Sequence, residues 1–271
     1  MLQQSVALGP MGFSIHQLLI GLAFLLALIA GALLGRRHRE SVSDTLLTLL
    51  IVAFIGARLV FVVRYWSEYD GLLSRLDIRD GGFDIIGGIL VGVAYASWVL
   101  WRSPRQRFPL TGALVAGGIV WGVTAGSATL IEHQSRPLPD IKLTTRTGAI
   151  IDLPQMSRRS QQPIVVNLWA SWCPPCIREM PVFEQAQTNE TDITFVFVNQ
   201  GETSSHIDAF MNAYGFSLDN VWLDPRNEVG QATGAHAMPT TLFYDANGHL
   251  VNTHFGELSS ATLQRGLEHL R

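Results

Sequence analysis

Four long apolar stretches, all before residue 132, constrain the fold of this sequence more than any other feature. A helix of about 20 apolar residues is long enough to cross roughly 30 Å of hydrocarbon, so we expect each stretch to span a membrane. The chain is 48% hydrophobic and 15% charged, which fits a membrane region joined to a water-soluble one. The stretches are Ser14–Leu34, Thr45–Trp66, Ile85–Trp101 and Pro109–Ile131.

The charged residues between these stretches predict the direction of the helices. Arginine clusters at Arg36–Arg39 and Arg102–Arg107 follow the first and third stretches, whereas acidic residues dominate the loop after the second. Because an excess of Lys and Arg marks cytoplasmic loops, we expect the N-terminus outside, and four crossings return the chain to the outside. Basic residues follow the first stretch instead of preceding it, so we expect it to be retained and not cleaved as a signal peptide.

From about Arg136 onwards, short β-type runs alternate with helical patterns, which is typical of a layered α/β domain. We therefore predict a four-helix transmembrane region over residues 1–135 and an α/β domain over 136–271. The net charge of −3 and the lack of a basic patch give no indication of nucleic-acid binding. The β-type runs are Ile164–Trp169, Ile193–Val198, Thr240–Tyr244 and His249–His254, and the helical patterns are Pro174–Gln187, Ser204–Tyr214 and Ser259–Leu270.

Both cysteines of the chain lie three positions apart in the segment WASWCPPCIREMP, directly after the first of these β-type runs. Cys173 is expected at the N-terminus of a helix, where unpaired N–H groups and the helix dipole favour a thiolate. Cys176, one turn further on, can then resolve a mixed disulfide formed by Cys173. Pro174 and Pro175 suit a first helical turn, where a missing N–H has little effect.

Two other interpretations of the cysteine pair are weaker. A structural disulfide that closes so short a ring stabilises a fold little. A zinc site needs about four ligands, but there is no second cysteine pair and the histidines lack metal spacing. We therefore expect no metal and favour a redox pair, since CxxC before a helix in an α/β pattern is a fairly specific signal.

At this point the sequence resembles the thioredoxin fold, and more closely the TlpA/ResA/CcmG group of membrane-attached thiol–disulfide oxidoreductases. The resemblance rests on VVNLWASWCPPCIREMP, on VFVNQGE at Val196–Glu202 and on AMPTTLFYDANG at Ala237–Gly248. It implies that Pro239 is a cis-proline facing the dithiol, and that Met238 and Pro239 help to bind the backbone of the partner protein. It also implies that Trp172 stands beside the thiols.

Two further features refine the expected chemistry. Asn167 stands where the resemblance implies a buried aspartate, so that proton acceptor is missing. Glu179 lies on the same helical face as Cys176 and matches a glutamate of the ResA-like group, so it is either a buried base for Cys176 or an ordinary solvated glutamate. The two prolines between the cysteines offer no cation or N–H to stabilise a thiolate, which favours a reducing protein over an oxidising one.

Residues Ala7–Trp101 resemble a second family, the prolipoprotein diacylglyceryl transferases, through ALGPMGFSIHQLLIGLAFLLALIAGALLGRR, IGARLVFVVRYWSEY and GGFDIIGGILVG. The positions where this resemblance implies a tyrosine and a histidine are Leu18 and Ile86, so transferase activity is expected to be lost. Arg58 is either a bundle-stabilising charge or a site for an anionic lipid headgroup. Glycines at four-residue spacing, Gly88 and Gly92 and then Gly118, Gly122 and Gly126, indicate close helix packing.

The leading hypothesis is a multi-pass protein of the bacterial inner membrane with a periplasmic thioredoxin-like domain that reduces protein disulfides. Its catalytic residues are Cys173, Cys176 and Glu179; its partners are protein disulfide substrates, the lipid bilayer and a membrane electron donor, because no nicotinamide or flavin motif is present and no cofactor is expected. The alternatives are a lipid-binding or lipid-modifying membrane protein with an accessory redox domain, and a binding module in which the thiols act as a switch.

Overall fold

The computed structural model describes residues 5–8, 11–38, 40–132 and 136–271, which divide into two compact units. One comprises Ile15–Ile78 and Gly82–Glu132, and the other is centred on residues 136–271. A short antiparallel hairpin of β1 (Ser5–Leu8) and β2 (Met11–Ser14) precedes the first long helix. The helices of the first unit are α1 (Ile15–His38), α2 (Ser43–Arg64), α3 (Leu72–Leu76), α4 (Ile85–Arg102) and α5 (Arg107–Glu132).

Three helical segments among the described residues are long and apolar enough to cross a membrane: Leu18–Arg36, Ser43–Arg64 and Ile85–Arg102. The fourth predicted span lies in α5, which is helical over 26 residues but is not among these three. The region is therefore helical as predicted, whereas the count of four membrane spans is not confirmed. Helix α1 packs mainly on α5, and α2 packs mainly on α4.

Glycines make the close contact between α2 and α4 possible. A Cβ atom at Gly56 would lie 2.7 Å from the Cβ of Val91, and one at Gly88 would lie 2.9 Å from the Cβ of Ala57. A Cβ atom at Gly92 would lie 3.3 Å from the Cβ of Ala53, so the packing predicted for Gly88 and Gly92 is confirmed.

The same prediction is wrong for Gly118 and Gly122 of α5, because a Cβ atom at either position would meet no described atom within 4 Å. Two other glycines of α5 do face α1: a Cβ atom at Gly117 would lie 3.0 Å from the Cβ of Ala27, and one at Gly112 would lie still closer to Cδ1 of Leu34. Four-residue spacing marks one stripe along a helix but does not tell which stripe faces a partner. Gly126 lies outside the residues whose side chains are described.

Arg58 is buried inside the helical unit, where backbone oxygens and aromatic rings surround its charge. Nη1 donates to the carbonyl oxygen of Gly82 at 2.8 Å, and Nη2 donates to those of Arg75 and Asp77 at 3.0 and 2.5 Å. These contacts join the middle of α2 to the connection between α2 and α4. They support the bundle-stabilising interpretation of Arg58 rather than the lipid-headgroup interpretation. The rings near the guanidinium belong to Phe61, Tyr69 and Phe83.

The second unit is built on a seven-stranded sheet with the order β4-β3-β7-β6-β5-β8-β9. Strands β5, β6 and β7 are parallel, whereas β8 runs antiparallel to β5, β9 to β8, and β3 to both β4 and β7. Its strands and helices, in chain order, are β3 (Lys142–Thr145), β4 (Ile150–Asp152), α6 (Leu153–Ser160), β5 (Ile164–Trp169), α7 (Pro174–Asn189), β6 (Thr194–Gln200), α8 (Ser204–Tyr214), β7 (Val221–Asp224), α9 (Glu228–Thr233), β8 (Thr240–Tyr244), β9 (Leu250–Phe255) and α10 (Ser260–Glu268).

Strand β5 lies in the interior of this sheet, between β6 and β8, and all six of its residues are buried. Its side chains alternate between two hydrophobic clusters, with Val165 and Trp169 in one and Ile164, Val166 and Leu168 in the other. Because successive side chains of a strand point to opposite faces, the sheet is covered on both faces. Strand β5 therefore gives a rigid base to the residues that follow its carboxyl end, which are those of the cysteine segment.

Candidate functional site

The cysteine segment lies where β5 ends and α7 begins. Cys173 is the N-cap residue of α7, and Pro174 occupies its first position, as predicted. Cys173 and Cys176 form a disulfide with their Cα atoms 5.3 Å apart. Cys173 is 4% exposed and Cys176 is fully buried, so only Cys173 offers an approach to a client protein.

The prolines limit how strongly the helix can stabilise a thiolate at Cys173. Pro174 and Pro175 have no N–H, so the first backbone donor after Cys173 is that of Cys176. The helix dipole still favours negative charge at this end, but two of the N–H groups that would normally face the N-cap are absent. This arrangement suits a pair that is not a strong oxidant, because stabilising the reduced thiolate is what makes such a pair oxidising.

Strand β8 brings the predicted proline to the cysteines. Thr240 pairs with Leu168 near the end of β5, so Pro239 stands level with the start of the cysteine segment. The peptide bond between Met238 and Pro239 is cis, as predicted. The side chain of Met238 packs on the hydrophobic cluster that includes both cysteines. Trp172, which directly precedes Cys173, is 65% exposed.

Glu179 is a fully buried carboxyl group on α7, one turn after Cys176. Its Oε1 accepts from Nδ2 of Asn167 at 2.8 Å, and its Oε2 accepts from the backbone N–H of Leu258 at 2.9 Å. Burial raises the pKa of Glu179 to about 8, although the hydrogen bonds from Leu258 and Asn167 oppose this shift. Of the two interpretations of Glu179, the buried one agrees with the structure and the solvated one does not.

Because Asn167 stands where the resemblance implies a buried aspartate, the sequence predicts that the site lacks that acid. The structure instead places the buried acid Glu179 next to Asn167. Its amide donates to Glu179 and also to Oγ1 of Thr241, at 3.1 Å. The carboxyl group that the strand lacks is therefore supplied by the neighbouring helix, and Asn167 holds it in place. A thiol has an ordinary pKa of about 8.5, so the pKa of Glu179, about 8, is close to that of a thiol, as efficient proton transfer between two such groups requires.

Sequence analysis missed the role of Glu202, which occurs at the end of the VFVNQGE motif. Its carboxylate accepts from the backbone N–H and the hydroxyl of Ser171, at 2.7 and 2.5 Å, and from Nδ2 of Asn199 at 2.7 Å. Desolvation raises the pKa of Glu202, but the hydrogen bonds from Ser171 and Asn199 outweigh it and the net shift is downward. A charged Glu202 therefore holds the loop that presents Trp172. The motif carried this signal, but the contact with Ser171 depends on the fold.

No group of three or more His, Cys, Asp and Glu side chains able to hold a metal ion occurs among the described residues. The groups near the start of α7 are the disulfide, the buried acid one turn further along the helix, the cis-proline and the exposed tryptophan. Thiol–disulfide exchange needs one sulfur that a client can approach and a second that resolves the adduct, and Cys173 at 4% exposure and the fully buried Cys176 match these two positions.

Comparisons with known proteins agree with both halves of this description. Residues 134–266 match the Redoxin family model, and residues 3–128 match that of prolipoprotein diacylglyceryl transferase. The thiol-disulfide oxidoreductase ResA of Halalkalibacterium halodurans is 28% identical over 123 residues, which cover 45% of this chain and 68% of that protein. ResA of Bacillus subtilis is 25% identical over 168 residues, which cover 60% and 92%.

A third relative is the thiol:disulfide interchange protein DsbE homolog of Paracoccus denitrificans, 28% identical over 123 residues, or 45% of this chain and 66% of that protein. The two family matches fall on different halves of the chain and meet near its change in composition. The chain thus joins an N-terminal region that matches the prolipoprotein diacylglyceryl transferase family to a C-terminal region that matches the redoxin family and has relatives among the ResA and DsbE thiol–disulfide oxidoreductases.

Proposed function

We propose that this protein is a membrane-anchored disulfide reductase whose redoxin domain acts on proteins outside the cytoplasmic membrane of a bacterium. The observation that carries the proposal is the buried pair Cys173–Cys176 at the start of α7 with the carboxyl group of Glu179 one turn away. The three apolar helices support membrane anchoring. In this proposal residues 1–135 are the multi-pass anchor and residues 136–271 are the periplasmic catalytic domain.

The reaction proceeds in two exchanges. In the reduced protein, the thiolate of Cys173 attacks a disulfide of the client, forming a mixed disulfide and releasing one client thiolate. Glu179 takes the proton of Cys176, whose sulfur then attacks Cys173 and releases the second client thiolate. Two electrons pass to the client, and Cys173 and Cys176 end as the disulfide seen in the structure.

The remaining site residues bind the client. Trp172 offers an exposed ring next to Cys173 in sequence, and Met238 and Pro239 directly precede β8, whose first residue pairs with Leu168 near the end of β5. We assign these three residues to the grip on the client backbone around its disulfide. A dithiol or quinol donor in the membrane returns two electrons and two protons to the oxidised pair, which completes the cycle.

The test uses the full-length chain in detergent micelles with a disulfide-containing client protein. The Cys176→Ser variant should accumulate a mixed disulfide, because Cys173 attacks and nothing resolves the adduct. The Cys173→Ser variant should give none, because Cys176 is buried. Equal trapping by both variants, or by neither, would contradict the proposed roles of the two cysteines.

The direction of electron flow has its own measurement, the equilibrium reduction potential of the full-length chain against a glutathione or dithiothreitol couple. A value near roughly −270 mV, as in thioredoxin, supports a reductase, whereas one near roughly −120 mV describes a donor of disulfides. The two prolines after Cys173 lead us to expect the lower value.

A second candidate function follows from the family match of residues 3–128, namely lipid binding or lipid modification by the membrane region. Leu18 and Ile86 stand where the resemblance implies a tyrosine and a histidine, so we expect no diacylglyceryl transfer to a precursor lipoprotein. Transfer that depends on this chain, with both cysteines replaced by serine, would establish the second function.

A further inference from the structure

The segment Gly256–Leu258, between β9 and α10, joins two parts of the site through consecutive residues. The N–H of Gly256 donates to the carbonyl oxygen of Pro239, and the N–H of Leu258 donates to Oε2 of Glu179, each at 2.9 Å. Between them, the carboxylate of Glu257 accepts from Nε and Nη2 of Arg178 at 2.8 and 2.5 Å. The segment therefore ties the cis-proline to the helix that carries both cysteines.

We propose that Arg178 and Glu257 are positioning residues whose ion pair holds the Leu258 amide against Glu179 and so determines when Glu179 takes the proton of Cys176. The inference rests on the proposed function, in which Glu179 is the base for Cys176. Arg178 lies on α7 between Cys176 and Glu179 in sequence, so a change in its contact acts on the same turn of helix. The pair positions the base and is not itself assigned a contact with the client.

Glu257 acts on Glu179 in two opposing ways. Its ion pair with Arg178 fixes the neighbouring N–H of Leu258, and this hydrogen bond lowers the pKa of Glu179 by favouring the ionised form. The negative charge of Glu257 itself raises the pKa of Glu179, because two carboxylates close together disfavour each other. Arg178 offsets part of that charge. Substitutions at Arg178 or Glu257 should therefore shift the pKa of Glu179, and the direction of each shift can be stated in advance.

Among the described residues, the charge that shifts the pKa of Glu179 is that of Glu257, whereas the charges of Arg265 and Asp80 shift the pKa of His254. Asn167, on β5, is neutral. On β9, Nε2 of His254 lies 3.3 Å from the carbonyl oxygen of Glu257. Desolvation and the nearby Arg265 lower the pKa of His254 to about 4, so its ring is uncharged at neutral pH. The side chain of Glu257 is 17% exposed and that of Arg178 is 42% exposed, so solvent screens the pair only in part and a modest effect is expected.

The experiment measures the pH dependence of the resolving step in the full-length chain, reduced and held in detergent micelles. Glutathione disulfide is added at concentrations where the rate no longer depends on its concentration, so that closure of the disulfide by Cys176 limits the reaction. Samples are quenched with acid, and the mixed disulfide with glutathione is quantified by mass. The midpoint of the rate against pH reports the base that serves Cys176.

Two variants separate positioning from general damage. In Glu257→Gln the amide oxygen still accepts from Arg178 but the charge is gone, so the midpoint should fall by about half a pH unit. In Arg178→Met the pair is lost and the charge of Glu257 is unopposed, so the midpoint should rise by a similar amount. Arg178→Lys should stay near the original midpoint. The exposed pair Arg146–Asp208, with its 3.0 Å contact, supplies the control Arg146→Met, which should change nothing.

Opposite shifts in Glu257→Gln and Arg178→Met support the inference, because loss of stability alone would move both variants in one direction. No shift, or shifts of the same sign, in variants with an unchanged circular dichroism spectrum would overturn it and leave the proposed function intact. The proposed function fails separately if the original chain does not exchange with glutathione disulfide, or if Glu179→Gln has the original pH profile.

Discussion

Glu179 is a carboxyl group at a position where ionisation is strongly disfavoured. It is fully buried, and burial raises its pKa from 4.5 to about 8. Only two hydrogen bonds, from Asn167 and Leu258, oppose this effect. A stabilising side chain of the same size would be apolar or neutral, so we interpret the retained acid as a functional group with a cost in stability.

This cost predicts how the stability of the redoxin domain depends on pH. Between pH 4.5 and about 8 the folded state holds a proton on Glu179 that the unfolded chain has lost, so the free energy of unfolding falls as the pH rises through this window. Glu179→Gln removes the titration. At pH 9 its free energy of unfolding should therefore exceed that of the original chain by on the order of a few kcal/mol, and it should unfold at a higher temperature. At pH 5 the two should be similar.

The measurement is thermal unfolding of the oxidised full-length chain, followed by near-ultraviolet circular dichroism at pH 5, 7 and 9. Glu268→Gln, at an exposed position on α10, is the matched control and should keep the original pH dependence. If Glu179→Gln lost stability at every pH by the same amount, Glu179 would be ionised in the folded protein and could not act as described.

At the scale of single elements, long buried runs were predictable and short ones were not. The predicted bounds of β5, β8 and α8 agree with the structure, because each combines a regular apolar pattern with turn residues at its ends. Strands β3 and β4 have only four and three residues and mixed polarity; they pair with each other, and β3 joins the rest of the sheet through the distant β7. Such elements carry no local signal of their own.

The same reasoning separates the parts of the site. The cysteines and Glu179 could be named from one motif, and the cis-proline from the resemblance of AMPTTLFYDANG to the same family. Glu202 and Glu257 could not be, since each finds its partner far along the chain, at Ser171 and at Arg178. Contacts of this kind exist only after β6 and β9 have docked on the sheet, and no sequence period reports them.

The glycines of the membrane region give a prediction at this scale. Their spacing does not distinguish glycines that contact a neighbouring helix from those that do not, whereas the structure does. In Gly56→Ala the new Cβ would lie 2.7 Å from the Cβ of Val91, so α2 and α4 must move apart, at a cost of about 1 to 3 kcal/mol. In Gly122→Ala the new Cβ meets none of the described residues within 4 Å, and the helix should gain up to about 1 kcal/mol from the better helix former.

The check is the thermal stability of the full-length chain in one detergent, with helix content followed by far-ultraviolet circular dichroism. The two variants introduce the same methyl group into apolar helices, so each is the control for the other. Equal effects from both would mean that α2 and α4 do not meet at Gly56 in the membrane.

At the scale of the whole molecule, the number of membrane crossings decides on which side of the membrane the redoxin domain lies. Three helices meet the length and composition of a membrane span. If only these three cross the membrane and the N-terminus is outside, the chain after the third helix lies inside. The redoxin domain would then face the reducing cytoplasm, where disulfides are rare. The arginines of Arg102–Arg107, between α4 and α5, instead favour a cytoplasmic loop at that point. The proposed function therefore requires α5 (Arg107–Glu132) to be the fourth crossing.

Labelling of Cys173 in bacterial membranes shows on which side of the membrane the thiols lie, and so distinguishes three crossings from four. After mild reduction, a maleimide that cannot cross membranes should label Cys173 in spheroplasts, and it should label inverted vesicles only after detergent is added. Cys173→Ser is the control for background, since Cys176 is buried. Replacing Arg102, Arg105 and Arg107 together by glutamine should weaken the external labelling, because it removes the charges that hold the loop inside. Labelling confined to inverted vesicles would place the thiols in the cytoplasm, reduce the number of crossings to three, and remove the periplasmic clients from the proposed function.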